Sequence, residues 1–201
     1  MKILVTGGAG FIGSNFVRMA LSDRLPGLEE CEITVFDALT YSGTMTNLDA
    51  VKDSENFAFI QGDIRDTKEV TAALPGHDAI VHFAAESHVD RSVTDSRIFV
   101  ETNVVGTQTL LDQALVCGIS RFVHISTDEV YGSIDEGSWD EQQALLPNSP
   151  YSASKAASDL LVRSYHVTHG LNTSITRCSN NYGTHHFPEK VIPLFVTNLL
   201  D

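Results

Sequence analysis

Short apolar runs recur along the chain, each closed by glycine, serine, aspartate or a similar polar residue. After most of them comes a stretch whose apolar residues return every three or four positions. The runs at Lys2–Thr6, Glu32–Asp37, Phe57–Gln61, 78–83, 121–126 and 173–177 are rich in β-branched and aromatic residues and predict strands. Most are apolar throughout, the pattern of a parallel sheet covered on both faces. The stretches 11–21, 67–74, 96–117, 151–169 and Val191–Leu200 predict helices. This alternation specifies an α/β fold with a doubly wound parallel sheet. No repeat or low-complexity segment interrupts it, and the stretch 134–150 is expected to be a loop within one layer. Two helices carry apolar residues on more than one face. They are Ile98, Phe99, Val104, Val105, Leu110, Leu111 and Leu115 in 96–117, and Ala156, Ala157, Leu160, Leu161 and Tyr165 in 151–169. One face suits the sheet and the other a second copy, so a homodimer through a four-helix interface is expected.

Composition narrows the possible partners. The 201 residues, 42% hydrophobic and 19% charged, suffice for one core and part of a second domain. A net charge of −13 argues against nucleic acid, and equally against an anionic membrane surface. A small anionic ligand fits only where backbone amides or local cations override that field. Cys31, Cys117 and Cys178 are far apart and form no CxxC, which argues for reduced thiols in a cytoplasmic setting. The eight histidines show no HExxH spacing, so no metal is expected, and His185-His186 is expected in a polar loop. Cys178 ends an apolar strand and is expected to pack. The N-terminal MKILVTGG does not read as a signal peptide, and no run approaches a membrane span.

The first strand runs into TGGAGFIG, where Gly7, Gly10 and Gly13 lie three apart around Phe11 and Ile12. Glycines there allow a tight turn, close backbone approach to a pyrophosphate and close helix-on-strand packing. The helix N-terminus adds amides and partial positive charge. Asp37 ends the next strand, 24 residues after Gly13, where a ribose hydroxyl would lie. A charge-assisted bond there is worth about 1.5–3 kcal/mol, and a 2′-phosphate would be repelled. NAD is therefore favoured over NADP, in a Rossmann-type domain.

Tyr151 and Lys155 are four apart on a predicted helix and share a face. A phenol with a pKa near 10 needs about 4 kcal/mol of differential stabilisation to act as a base at neutral pH. A neighbouring ammonium and a positive nicotinamide are expected to lower it. Ahead of them, HISTDEVYGS places Asp128 and Glu129 at a strand end facing the same crevice. Oxidoreduction alone does not need two further carboxyls. An acid and a base beside a hydride-transfer site suit elimination of water, with like charges pushing one pKa up.

These motifs, with GDIRD, VHFAAESHVDRS, ETNVVGTQTLL, NSPYSASKAASD, TRCSNNYG and FPEKVIPLF, resemble the extended short-chain dehydrogenase/reductase family in its sugar-nucleotide dehydratase branch. The resemblance implies NAD as cofactor and dTDP-glucose as substrate. It implies that Tyr151, aided by Thr127 and Lys155, takes the 4-hydroxyl proton, Glu129 the C5 proton, and that Asp128 protonates the departing 6-hydroxyl. It further implies adenine contacts from Asp63 and Ile64 and a cofactor wall of Ala84, Ala85 and Ser87. Substrate contacts are implied for Ser87, Thr127, Asn180, Glu189 and Lys190. Residues 1–178 are then the cofactor domain and 179–201 the start of a substrate lobe whose larger part is absent. Such a chain is expected to retain NAD but to turn over little dTDP-glucose alone. Thr184 stands where the family commonly has proline. A sugar-nucleotide 4-epimerase would share every motif except Asp128-Glu129, and a dinucleotide-sensing module would keep only the glycine turn.

Overall fold

The computed structural model describes residues 1–200. Six parallel strands form one sheet: β1 (Lys2–Thr6), β2 (Glu32–Asp37), β3 (Phe57–Gln61), β4 (Ala79–His82), β5 (Arg121–Thr127) and β6 (Thr173–Cys178), in the order β3-β2-β1-β4-β5-β6. Strand alternation splits the core into two layers. Ile3 and Val5 face one layer, with Val17, Ile33 and Val35. Leu4 faces the other, with Phe36, Ile80, Phe122, Leu110, Leu111 and Val162. The central strands β1 and β4 are sealed as expected, whereas the edge strands β3 and β6 stay partly exposed because only one neighbour covers each.

Several boundaries move. β4 is shorter than 78–83, while β5 and β6 extend one residue past 126 and 177. Helices α1 (Phe11–Ala20) and α2 (Thr67–Ala73) end a residue early. A short α3 (Val89–Thr94) precedes the expected 96–117 helix, which is not uniform. It comprises α4 (Arg97–Phe99), a π-helical segment (Val100–Gly106) and α5 (Thr107–Val116). The widened turns accompany an inward-facing Asn103. Its Oδ1 accepts from the Glu86 amide at 2.8 Å, and its Nδ2 donates to the Glu86 carbonyl and to Ser154 Oγ, both at 2.9 Å. Pro150 is not in the loop but is the first residue of α6 (Pro150–His169), where its missing N–H costs nothing. Ser149 caps that helix in a reciprocal box with Ser152. The last helix, α7 (Val191–Leu200), buries no residue.

The expected two-faced helices are confirmed only in part. Phe99, Leu110, Leu111 and Ala156 are spent on the chain's own core. Val100 and Val105 on the π-helical segment, Val116 on α5, and Leu160 and Val167 on α6 remain exposed.

Two buried histidines link sheet to helices. Thr107 Oγ1 donates its single hydrogen to the Asn103 carbonyl at 2.6 Å, so it can only accept from His82 Nε2 at 3.0 Å. In the neutral ring, which burial favours, His82 Nδ1 then accepts from Thr6 Oγ1 at 2.7 Å, so the proton sits on Nε2. By the same logic Ser158 Oγ donates to the Lys155 carbonyl at 2.8 Å and accepts from His124 Nε2 at 3.2 Å. Burial holds both rings below the ordinary histidine range, His124 at about 4. The unfolded chain, with a histidine pKa near 6.5, binds a proton that the folded one refuses. Stability is therefore complete above that value and is lost as pH falls toward about 4, at up to about 1.4 kcal/mol per unit and ring. Urea unfolding should show this acid-side slope, and His124→Gln should flatten it. An unchanged slope in the variant would contradict a neutral, buried His124.

Candidate active site

Winding reverses between β1 and β4, and a crevice of about 600 Å³ opens there off the carboxyl ends of the strands. The β1–α1 turn forms one wall. Gly7 has φ +69°, and a Cβ there would overlap the backbone of Ala84; one at Gly13 would overlap the Gly7 carbonyl. Gly10 caps α1 without any side chain, so the first-turn amides are open to an anion, and Phe11 and Ile12 line the crevice beside them. The arrangement fits a dinucleotide.

Asp37 lies at the end of β2, nearly sealed. Its Oδ2 accepts from the Ala9 amide and its Oδ1 from the Leu39 amide, both at 2.9 Å. It is thus a turn residue and a pin for the glycine loop, and it lines the crevice as well. Burial holds its carboxyl above the usual range, against those two amides. Asp63 and the buried Ile64 lie on the same side, but the Asp63 carboxylate is already paired with Arg65 Nε at 2.9 Å. Ala84, Ala85 and Ser87 form the opposite wall, held there through Glu86 by Asn103.

At the far end, Thr127, Glu129, Tyr151 and Lys155 come together in the crevice, whereas Asp128, expected to face it too, is half-buried against Thr127 and does not line it. Thr127 caps a 3₁₀ turn (Asp128–Tyr131), accepting from the Glu129 amide at 3.2 Å while its hydroxyl points to Asp128 Oδ1 at 3.4 Å. Burial, then Asp128, raises the Glu129 carboxyl above its ordinary range, with Lys190 opposing. Tyr151 departs from expectation. Burial first, then Glu129, pushes its phenol further up, with Thr127 pulling the other way. Lys155, buried and donating to the Ile125 carbonyl at 2.8 Å, falls to about 8.

Residues 183–190 run back across the mouth. His186 stacks on Phe11 with centroids 4.4 Å apart, and Phe187 meets Tyr41 edge-on at 5.6 Å. The expected polar loop is therefore half aromatic contact, with exposed Thr184 and His185 at φ +67° forming its turn. Asn180 is exposed on the crevice rim. The Glu189 carboxylate is paired with Arg91 at 2.8 Å, and Lys190 Nζ donates to the Ser87 carbonyl at 3.2 Å. Cys178 faces the crevice rather than only packing, and its sulfur accepts from Asn181 Nδ2 at 3.3 Å. Arg91 also stacks on Tyr41 at 4.0 Å, and Arg177 is bonded to Asp159 and to the Tyr131 hydroxyl, each at 2.8 Å. The cations Arg91, Lys155, Arg177 and Lys190 thus all have partners within the chain, as does Arg65, which also lines the crevice.

Asn103, Tyr41 and Glu86 contribute to the site without having been singled out for it. The only sequence signal for Asn103 and Glu86 was their place inside ETNVVGT and AAESHVDRS, and Tyr41 lies in neither. Among the described residues no helix is long and apolar enough to cross a membrane, and no cluster of histidine, cysteine or carboxylate has metal-binding geometry.

A family model described as GDP-mannose 4,6 dehydratase matches residues 4–201. The dTDP-glucose 4,6-dehydratase of Streptomyces niveus is 58% identical over the whole chain, which covers 60% of that protein. The enzyme of the same name from Streptomyces antibioticus is 59% identical, with 59% of its length covered. The crystal structure of DesIV, a dTDP-glucose 4,6-dehydratase from Streptomyces venezuelae solved with NAD bound, superposes with a TM-score of 0.98 at 60% identity. The match covers all of this chain and 62% of that one. The chain spans about three fifths of the length of the curated relatives it matches.

Proposed function

Because the chain belongs to the GDP-mannose 4,6 dehydratase family, we propose that it carries the NAD-binding and catalytic part of a dTDP-glucose 4,6-dehydratase. The product is dTDP-4-keto-6-deoxyglucose. The observation that carries this reading is Glu129 beside Tyr151 and Lys155 in one crevice, with Asp128 next to it at the end of β5. Gly7, Gly10, Phe11, Ile12, Gly13, Asp37, Ile64, Ala84, Ala85 and Ser87 would hold NAD. Asp63 would meet adenine through its backbone, because its carboxylate is engaged. When bound, NAD supplies the hydride acceptor for C4, the hydride returned to C6 and a positive charge near Tyr151.

The chain's own residues do the proton work. Tyr151 takes the 4-hydroxyl proton, and because burial and Glu129 hold its phenol up, it acts as a base only once a nearby cation stabilises the phenolate. Lys155 contributes one such charge. Glu129 removes the C5 proton, which the 4-ketone acidifies, and gives a proton back to C5 when hydride adds to C6; its raised proton affinity favours the removal. Asp128 gives a proton to the departing 6-hydroxyl. Asn180 and Thr127 orient the sugar. Glu189 and Lys190 bear on it mainly by holding residues 183–190 across the mouth. With the local cations engaged, a sugar-nucleotide diphosphate draws its positive partners from elsewhere. That supports residues 1–178 as the cofactor domain and 179–201 as the edge of a substrate lobe. A homodimer would cover Val100, Val105, Val116, Leu160 and Val167, and a cytoplasmic setting suits the free cysteines.

Incubation of the full-length protein with dTDP-glucose should give the 4-keto-6-deoxy product. A galactose nucleotide would indicate epimerisation instead, and no turnover a binding module. Glu129→Gln should slow solvent deuterium entry at C5 by about 10²-fold or more, with KM changing far less; an exchange rate like the parent's would remove Glu129 from the role of base. Asp37→Ala should weaken NAD by about tenfold or more and narrow its advantage over NADP, as dinucleotide titration would show. Sedimentation at micromolar concentration should report a dimer, and Leu160→Glu should shift it toward monomer.

A further inference from the structure

Behind the crevice lies a charged group that the reaction scheme does not use. Asp159 stands one turn after Lys155 on α6, with 1% exposure against 4% for Lys155. Arg177 reaches it from β6, its Nε donating to Asp159 Oδ2 at 2.8 Å. His124 comes from β5, its Nε2 3.5 Å from Asp159 Oδ1. Arg177 is anchored in turn by Tyr131, through the hydroxyl at 2.8 Å and the ring face at 5.2 Å. The sealed group therefore holds two cations, Lys155 and Arg177, one anion and a neutral ring.

We propose that Asp159 is a positioning residue for Lys155: its carboxylate, shared with Arg177, is the buried counter-charge that keeps the Lys155 ammonium protonated where it serves Tyr151. An ammonium out of water is disfavoured unless an opposite charge stands close. Of the buried carboxylates among the described residues, Asp37 and Asp159, only Asp159 lies on the helix of Lys155. Burial lowers Lys155, and Asp159 is the leading influence against it, followed by Cys178.

Other ionisable groups on the packed elements have partners of their own. Arg91 on α3 holds Glu189, and Glu101 on the π-helical segment holds Arg97. Asp112 on α5 accepts from the Tyr165 hydroxyl, while Asp90 is exposed on α3. His82 and His124 face Lys155 as neutral rings, and Glu129 and Asp128 stand beyond Tyr151.

The shared carboxylate gives opposite signs for its two ends. Asp159→Asn leaves Lys155 and Arg177 as unbalanced cations and should lower the titration midpoint of Lys155 by about one unit or more. Arg177→Gln frees the Asp159 charge and should raise it. A purely structural loosening would move both variants the same way, toward an ordinary exposed lysine. The measurement is trace labelling with acetic anhydride from neutral to alkaline pH, read lysine by lysine after proteolysis. It is done on full-length protein at matched dinucleotide content, with Lys2, Lys52, Lys68 and Lys190 as internal references. Opposite shifts at Lys155 alone support the proposal. Shifts in one direction, or none, overturn it. If Asp159→Asn does not fold, Arg177→Gln is read beside the charge-conserving Arg177→Lys: a rise in the Gln variant alone supports the proposal, while an unchanged or lowered midpoint there, or an equal rise in both, contradicts it.

The role in catalysis rests on the proposed activity, but the labelling does not. A protein that labels as expected and makes no 4-keto sugar supports the charge pairing and refutes the activity. Where turnover is present, the alkaline limb of kcat/KM should move down in Asp159→Asn by the same shift as the labelling midpoint, and an unmoved limb would overturn the positioning role.

Discussion

A parallel sheet must be covered on both faces, and a single chain can do that only by reversing its winding. That constraint places the reversal between β1 and β4 and leaves their carboxyl ends without a crossing helix. The other features of the site build on this gap. Gly7 must pass close to the backbone of Ala84 across it, so no side chain is tolerated there. The loop at Ala84–Ser87 must in turn be held still, which Asn103 does from the π-helical segment.

The second organising force is desolvation. The phenol of Tyr151, the ammonium of Lys155 and the carboxyls of Asp37 and Glu129 are all displaced toward their neutral forms, with burial as the first cause. Each is then tuned by one or two specific neighbours. Glu129 raises the cost of charge on Tyr151, as Asp128 does for Glu129. The same low dielectric makes the Asp159–Arg177 pair influential, although neither touches the crevice chemistry.

A protein of net charge −13 that handles an anionic ligand must localise its positive field. Here the field near the crevice comes from the amides opening α1, while the nearby cations serve internal roles. Arg91 and Lys190 hold residues 183–190 over the mouth, and Arg177 holds Asp159. This division separates anion recognition from the ordering of the site. It also explains why a charge count alone misjudges what those side chains are available to do.

Much of this was legible in the residues themselves. Strand runs, the glycine spacing, Asp37 at its strand end and the Tyr151–Lys155 interval are signals contained within a turn or a few residues, so the sequence by itself determined them. It also determined the doubly wound order, because alternation of strand and helix leaves few ways to cover a parallel sheet. The tertiary structure alone decided the rest. The π-helical segment inside 96–117 goes with bonds from Asn103 to Glu86 and Ser154, residues 17 and 51 positions away. Glu189 proved to be the partner of Arg91, 98 positions distant. The direction in which Tyr151 shifts is a sum over burial and neighbours from several elements. No local pattern encodes such sums, since desolvation and long-range pairing exist only once the chain has closed around them.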